Sequence, residues 1–186
     1  PVMIHAQLVR EDQLASMAKI GMMPSFFIAH TYFWGDIHLA NLGKERGSHI
    51  SPANTALKYH LPFTFHQDSP VLPPDMMRTV WCAVNRITKN GVDLGDDEKI
   101  SVEDALKAIT VYGAYQYFEE NSKGTITKGK IADLVILDKN PLKVTSDELK
   151  DIQVLETIKN GKTIYKKEKT SHRCLLIFYV YFYIII

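Results

Sequence analysis

With 186 residues, 46% hydrophobic and 23% charged, the chain carries enough apolar material for one ordinary domain with a sizeable core. Its 22 basic and 21 acidic residues leave a formal net charge of +1, so no global field recruits nucleic acid or an anionic membrane, and small-molecule chemistry is favoured. Two cysteines give no disulfide framework; Cys82, inside Thr79-Val80-Trp81-Cys82-Ala83-Val84, reads as a buried reduced thiol, and a reducing, cytoplasmic compartment is the expectation.

The chain opens on Pro1 and runs at once into Val2-Met3-Ile4, a short apolar strand. It lacks the basic start, apolar middle and small-residue cleavage site of a signal peptide, which reads as a start in mid-domain. Leu14, Met17 and Ala18 share one face of a helix from about Asp12 to Gly21, where glycine suits a C-terminal cap. Pro24-Ser25-Phe26-Phe27-Ile28-Ala29 is a second strand. Ser51-Pro52 places an N-cap before proline at the first helical position and predicts a helix through Leu57.

Leu61-Pro62-Phe63-Thr64-Phe65 is a third strand, left through His66-Gln67-Asp68 and the prolines Pro70, Pro73 and Pro74. Met76, Val80, Val84 and Ile87 recur at helical spacing up to Asn90-Gly91. Asp96-Asp97-Glu98 reads as a solvated loop. Ser101-Val102-Glu103-Asp104 resembles a capping box that opens a longer helix through Tyr117.

From Gly124 the pattern turns to strands: Ala132 to Asp138, Ile152 to Ile158, then the Asn160-Gly161 hairpin signal and Lys162-Thr163-Ile164-Tyr165. The last segment sets basic Lys166, Lys167, Lys169 and Arg173 before an apolar run from Cys174 to Ile186. That run is shorter than the roughly 20 residues of a membrane helix and rich in aromatic and β-branched residues. A non-native extension is the expectation there, not an anchor.

Strands that alternate with helices and read as continuous apolar runs imply a parallel sheet buried on both faces. In such sheets functional groups gather at the carboxyl ends of the strands. His5, His30 and the pair His66 and Asp68 each follow one of the three predicted strands, which brings imidazoles and a carboxylate to one rim. Imidazole and carboxylate suit a divalent metal, zinc or a neighbour, and an adjacent acid can move a proton between water and a leaving amine. Asp68 is then a ligand, a general base, or both. Each residue has an ordinary reading as well: His5 a core histidine, Asp68 a cap on the Ser69-Pro70 turn, Tyr32, Phe33 and Trp34 loop packing, and His49, His60 and His172 solvated.

The ordered series Ile4-His5-Ala6-Gln7, Met23-Pro24-Ser25, His30-Thr31-Tyr32-Phe33-Trp34-Gly35-Asp36 with His38, Leu42-Gly43-Lys44-Glu45-Arg46, Ser51-Pro52-Ala53, His66-Gln67-Asp68-Ser69-Pro70-Val71, Ala83-Val84-Asn85-Arg86 with Thr88, Gly124-Thr125-Ile126 and Gly129-Lys130-Ile131-Ala132-Asp133-Leu134-Val135 resembles the amidohydrolase superfamily. The branch is that of the predicted metal-dependent amidohydrolases, which includes N-substituted formamide deformylase-like proteins. The resemblance implies an α/β fold, the C-terminal part of a distorted (β/α)8 barrel from about strands six to eight, over residues 1–121. A small β-sandwich module follows over 122–167, with 168–186 as the tail.

It also implies that His5 is the metal ligand at the end of strand six and Asp68 the strand-eight aspartate that contacts metal and activates water. His30, Trp34, Asp36 and His38, in the loop after strand seven, become substrate-binding or supporting groups together with His66. A divalent metal, zinc first, is the implied cofactor, and a small amide-type molecule the implied substrate.

The superfamily's upstream His-x-His pair, bridging residue and strand-five histidine have no counterpart in this sequence, so the chain alone is expected to be inactive. The alternatives are a non-catalytic module that packs with a complementing N-terminal chain or a second copy, and a nonfunctional remnant.

Overall fold

The computed structural model describes residues 1–168; the apolar run from Cys174, and the reading placed on it, lie outside the described residues. Strand β1 (Val2–His5) leads through a short turn to helix α1 (Glu11–Ile20), whose Leu14 and Met17 are buried and whose chain leaves through left-handed Gly21, as the sequence predicts. Strand β2 is Met23–Phe26. It stops short of the predicted Ala29 because Phe27, Ile28 and Ala29 already turn into helix α2 (His30–Phe33), through bonds from His30 N to Phe27 O and Thr31 N to Ile28 O.

The segment expected to be a loop is helical. Helix α3 (Gly35–Ser48) follows α2 directly, with a break at Gly43, whose φ of 75° is left-handed. Gly35 marks a close approach: a Cβ there would sit 2.7 Å from Thr88 Cγ2. Helix α4 (Ala53–Lys58) begins one residue later than Ser51-Pro52 implies. Ser51 has a φ of 49° and Pro52 is itself the cap residue, so the serine side chain does not cap the helix.

Strand β3 is only Thr64–Phe65, because Leu61 to Phe63 approach the sheet without joining its ladder. The parallel sheet runs β1-β2-β3, with His5 opposite Phe26 and Phe26 opposite Phe65. Helix α5 (Met76–Asn85) is capped by Asp75, whose carboxylate accepts from Arg78 N at 3.0 Å. It ends at left-handed Arg86 (φ 48°), four residues before the predicted Asn90.

Arg86 is fully buried. Its guanidinium donates to the carbonyls of Leu94, Gly95, Ser51, Ser48 and Ile50 at 2.8 to 3.2 Å, which ties the end of α3 to the strand-like segment 92–95. Burial lowers its pKa to about 10, with Glu98 and Asp97 opposing, so it stays charged at neutral pH. Asp96–Glu98 is a short 3₁₀ turn and not simply a solvated loop: Glu98 is buried and accepts from Thr55 N and Thr55 Oγ1, while Asp97 meets His49.

Ser101 caps helix α6 (Val102–Ile109), accepting from Asp104 N at 3.0 Å. The expected single helix breaks at Thr110, whose hydroxyl turns back to Leu106 O, and restarts as α7 (Val111–Gln116). Beyond it β4 (Leu134–Leu137), β5 (Val154–Lys159) and β6 (Lys162–Lys166) form one antiparallel sheet, with a 3₁₀ segment at Ser146–Asp151. Asn160 and Gly161 take the two left-handed positions of the hairpin turn. Among the described residues this is a single sheet and not two face-to-face layers.

One continuous core unites Phe26, Phe27, Ile28, Phe63 and Phe65 with Val80 and Trp81 of α5 and with Leu137, Leu149 and Ile152 of the second unit. Each such side chain contributes about 1.5–3 kcal/mol when buried. Cys82 lies inside it, and burial pushes its thiol up to about 12, as suits an inert reduced cysteine. Among the described residues no helix is long and apolar enough to cross a membrane.

Candidate metal centre

The three parallel strands end on one rim. His5 closes β1 with a φ of 64°, and the chain beyond β3 reaches Asp68 with a φ of 50°; both are left-handed and uncommon for side-chain-bearing residues. These turns carry His5 Nε2 to 3.9 Å from Asp68 Oδ2. His66 joins them: one potential ligand atom from each of His5, His66 and Asp68 lies within 4.8 Å of the others. Asp68 caps nothing with its carboxylate in the adjacent turn; its main-chain carbonyl accepts from Val71 N at 2.8 Å.

Beneath the rim sits Phe27, 1% exposed, with His66, His30, His5 and Trp34 rings at centroid distances of 5.5, 4.4, 5.9 and 5.9 Å. His30 stacks on His5 at 5.8 Å and meets Trp34 and His38 edge-on at 5.3 and 5.6 Å. Gln7 Nε2 donates to His38 Nε2 at 2.8 Å, which leaves the imidazole proton on Nδ1. On the far side of His66, Ser25 Oγ lies 3.0 Å from Nδ1.

Burial favours the neutral form of His30, His66 and His38. Burial, then the neighbouring His38 and His5, lower His30 to about 4, with Asp68 opposing. Burial and His5 lower His66, and burial lowers His38. Neutral imidazole is the form that binds a cation.

A divalent ion fits these residues. Two ligands of a tetrahedral zinc stand about 3.4 Å apart at ordinary bond lengths. The candidate donors of His5, His66 and Asp68 lie within 4.8 Å of one another, somewhat wider than that spacing. His66 Nε2 and His5 Nδ1 are buried polar atoms without a hydrogen-bond partner. Thus His66, read from sequence as a substrate group, stands with the metal-binding candidates.

His30 and His38 are brought to the same rim from α2 and α3, and Trp34 from the single residue that joins the two helices. Asp36 is not: its carboxylate accepts from Thr88 Oγ1 at 2.8 Å and Asn90 N at 3.3 Å and anchors the start of α3 to the segment after α5. Gln7, Ser25 and Phe27 received no role from sequence, although Gln7 and Ser25 stand inside motifs that carry the resemblance. A cleft of about 690 Å3 between α5, α6 and the antiparallel sheet contains none of these residues.

Imidazoles and a carboxylate gathered at the carboxyl ends of a parallel sheet define a class of α/β proteins with a rim site for a divalent cation. The model of the amidohydrolase family matches residues 1–165, and this chain belongs to that family. It is 27% identical over 165 residues to the N-substituted formamide deformylase of Arthrobacter pascens, covering 88% of this chain and 30% of that protein. The crystal structure of an uncharacterized metal-dependent hydrolase from Pyrococcus horikoshii superimposes with a TM-score of 0.67 at 28% identity, over 78% of this chain and 30% of that one. Its counterpart from Pyrococcus furiosus gives 0.64 at 29%, over 76% and 29%. The chain spans 28 to 32% of the length of the curated relatives it matches.

Proposed function

We propose that this chain supplies one side of the active site of a metal-dependent hydrolase that cleaves a non-peptide C–N bond in a small amide-type substrate. The observation that carries the reading is the convergence of His5 and Asp68 at the ends of β1 and β3 in a member of the amidohydrolase family. In this reading β1, β2 and β3 are the sixth, seventh and eighth strands of a distorted (β/α)8 barrel. Residues 1–121 belong to the barrel and 122–167 to the appended β module.

His5 and Asp68 would hold the cation, zinc by the nature of the donors. When bound, such an ion lowers the pKa of its water toward neutrality and polarises a carbonyl. Asp68 is bifunctional: with Oδ2 turned toward His5, Oδ1 would take a proton from the water that attacks the carbonyl carbon and return it to the amine nitrogen as the C–N bond breaks. His38, its Nε2 satisfied by Gln7, presents Nδ1–H as a neutral donor, and His30 and Trp34 form an aromatic wall that keeps water from the substrate. Catalytic zinc normally has about three protein ligands and an open position, so turnover is expected only where further donors complete the site.

The test places residues 1–165 in the matching segment of the Arthrobacter pascens deformylase and follows hydrolysis of an N-substituted formamide. Metal-dependent turnover is expected, with Asp68→Asn lowering kcat about 10²–10⁴-fold. Retained turnover in that variant would remove the role given to Asp68.

A second reading is favoured by β1, a sheet edge whose Val2, Met3 and Ile4 are exposed: another chain, carrying further barrel strands, covers this edge. A chain that stays monomeric in sedimentation and does not associate with a segment of the Arthrobacter pascens deformylase taken from outside the matching region would remove it.

A further inference from the structure

We propose that His66 is a third protein donor to the cation, through Nε2, and that Ser25 is the positioning residue that holds its ring in the ligating orientation. The proposal rests on the metal-site reading above and deepens it, giving His66 a ligating atom and Ser25 a positioning role.

His66 has its two ring nitrogens in different surroundings. Nδ1 faces Ser25 Oγ at 3.0 Å, whereas Nε2 is buried without a hydrogen-bond partner. Were Ser25 to donate, Nε2 would carry the proton and be a buried donor with no acceptor. With Nδ1–H donating to Ser25, Nε2 keeps its lone pair for a cation, and His66 belongs with His5 and Asp68 to a group that offers ligand atoms within 4.8 Å of one another.

The ring has little freedom to turn away. Ser25 lies in the middle of β2, which is hydrogen-bonded to β1 on one side and β3 on the other, and it is 3% exposed. His66 N donates to Phe26 O at 3.1 Å, and the Phe27 ring lies nearly parallel to the imidazole, 29° off, at 5.5 Å. The backbone of β2 therefore fixes the serine, the serine fixes the ring, and the left-handed turn at Asp68 sets a carboxylate beside it. Two donors two residues apart then reach one ion from the same strand end.

The experiment titrates the full 186-residue chain with Co²⁺, reading its visible ligand-field bands and, by competition, its affinity. His66→Gln and His66→Asn are compared with Ser25→Ala and Ser25→Thr. His5→Gln and Asp68→Asn report the underlying site, the exposed His60→Gln is a control, and melting of each metal-free variant confirms folding. Loss of a ligand in the His66 variants should change the band shape and weaken binding at least about tenfold. Ser25→Ala should weaken it about 10–100-fold, with Ser25→Thr, which keeps the hydroxyl, restoring most of the loss. If the His66 and Ser25 variants keep wild-type bands and affinity while His5→Gln and Asp68→Asn lose them, the inference fails and the metal-site reading stands. If the wild type shows no Co²⁺ bands, both fall.

Discussion

His5 Nε2 and Asp68 Oδ2 stand 3.9 Å apart although they leave strands that do not touch, with β2 between them. Left-handed φ values of 64° and 50° at the two residues accomplish this. Such conformations cost on the order of 1–3 kcal/mol each and persist where the surrounding structure enforces them.

That strain makes Asp68 a site where stability and binding oppose each other. Its side chain is 44% exposed, and its ion pair with His5 is long, so little favourable contact offsets the backbone. Asp68→Gly is expected to leave stability unchanged or raise it by about 1 kcal/mol, measured by urea unfolding of the metal-free protein, while abolishing metal binding. A large loss of stability would show that the carboxylate holds the fold.

Phe27 supports the ring cluster. Phe27→Ala should cost about 3–5 kcal/mol of unfolding free energy. The milder Phe27→Leu should remain folded yet weaken metal binding, because His5, His30 and His66 lose their common platform. Calorimetric titration of the leucine variant checks this.

Arg86→Leu removes the donors for five main-chain carbonyls in a fully buried position. A loss of at least about 3 kcal/mol is expected, since buried acceptors left unpaired each cost about 1–3 kcal/mol. Unfolding midpoints with an unchanged denaturant slope are the measurement.

His49 supplies a pH-dependent increment. Its Nδ1–H donates to Glu45 O at 2.7 Å, and Nε2 meets Asp97 at 3.0 Å, with Glu98 nearby; these partners raise its pKa above the ordinary 6.5 despite partial burial. The protonated form is therefore favoured in the folded state. The stabilisation is fully present below pH 6.5 and lost as pH rises through the higher folded value. With half the side chain exposed, it amounts to under about 1 kcal/mol. The stability difference between wild type and His49→Ala should shrink as pH rises through that window; a pH-independent difference would contradict the assignment.

The rim was legible where local chemistry and position coincide. Apolar runs ending in His5 and in His66-Gln67-Asp68 identify strand ends, and Gly21 and Asn160-Gly161 mark turns whose left-handed backbone the structure contains. Helix α3 was not legible because Gly35, Gly43 and Gly47 interrupt its pattern, and the reason for a small residue at Gly35 is contact with Thr88, remote in sequence. Arg86 ends α5 for tertiary reasons, its five carbonyl partners coming from segments on either side in the chain. Asp36 receives its substrate-binding or supporting role only through the resemblance, whereas its carboxylate is held by Thr88. Position in the chain puts His66 at the rim, but strand alternation does not distinguish a ligand from a supporting group.

The central claim is that the ends of β1 and β3 hold one divalent cation between them. Anomalous scattering from crystals of the chain grown with Zn²⁺ tests it directly. One peak about 2.0–2.2 Å from a His5 ring nitrogen and an Asp68 carboxylate oxygen is the predicted result. A peak elsewhere, or none at saturating zinc, would contradict it.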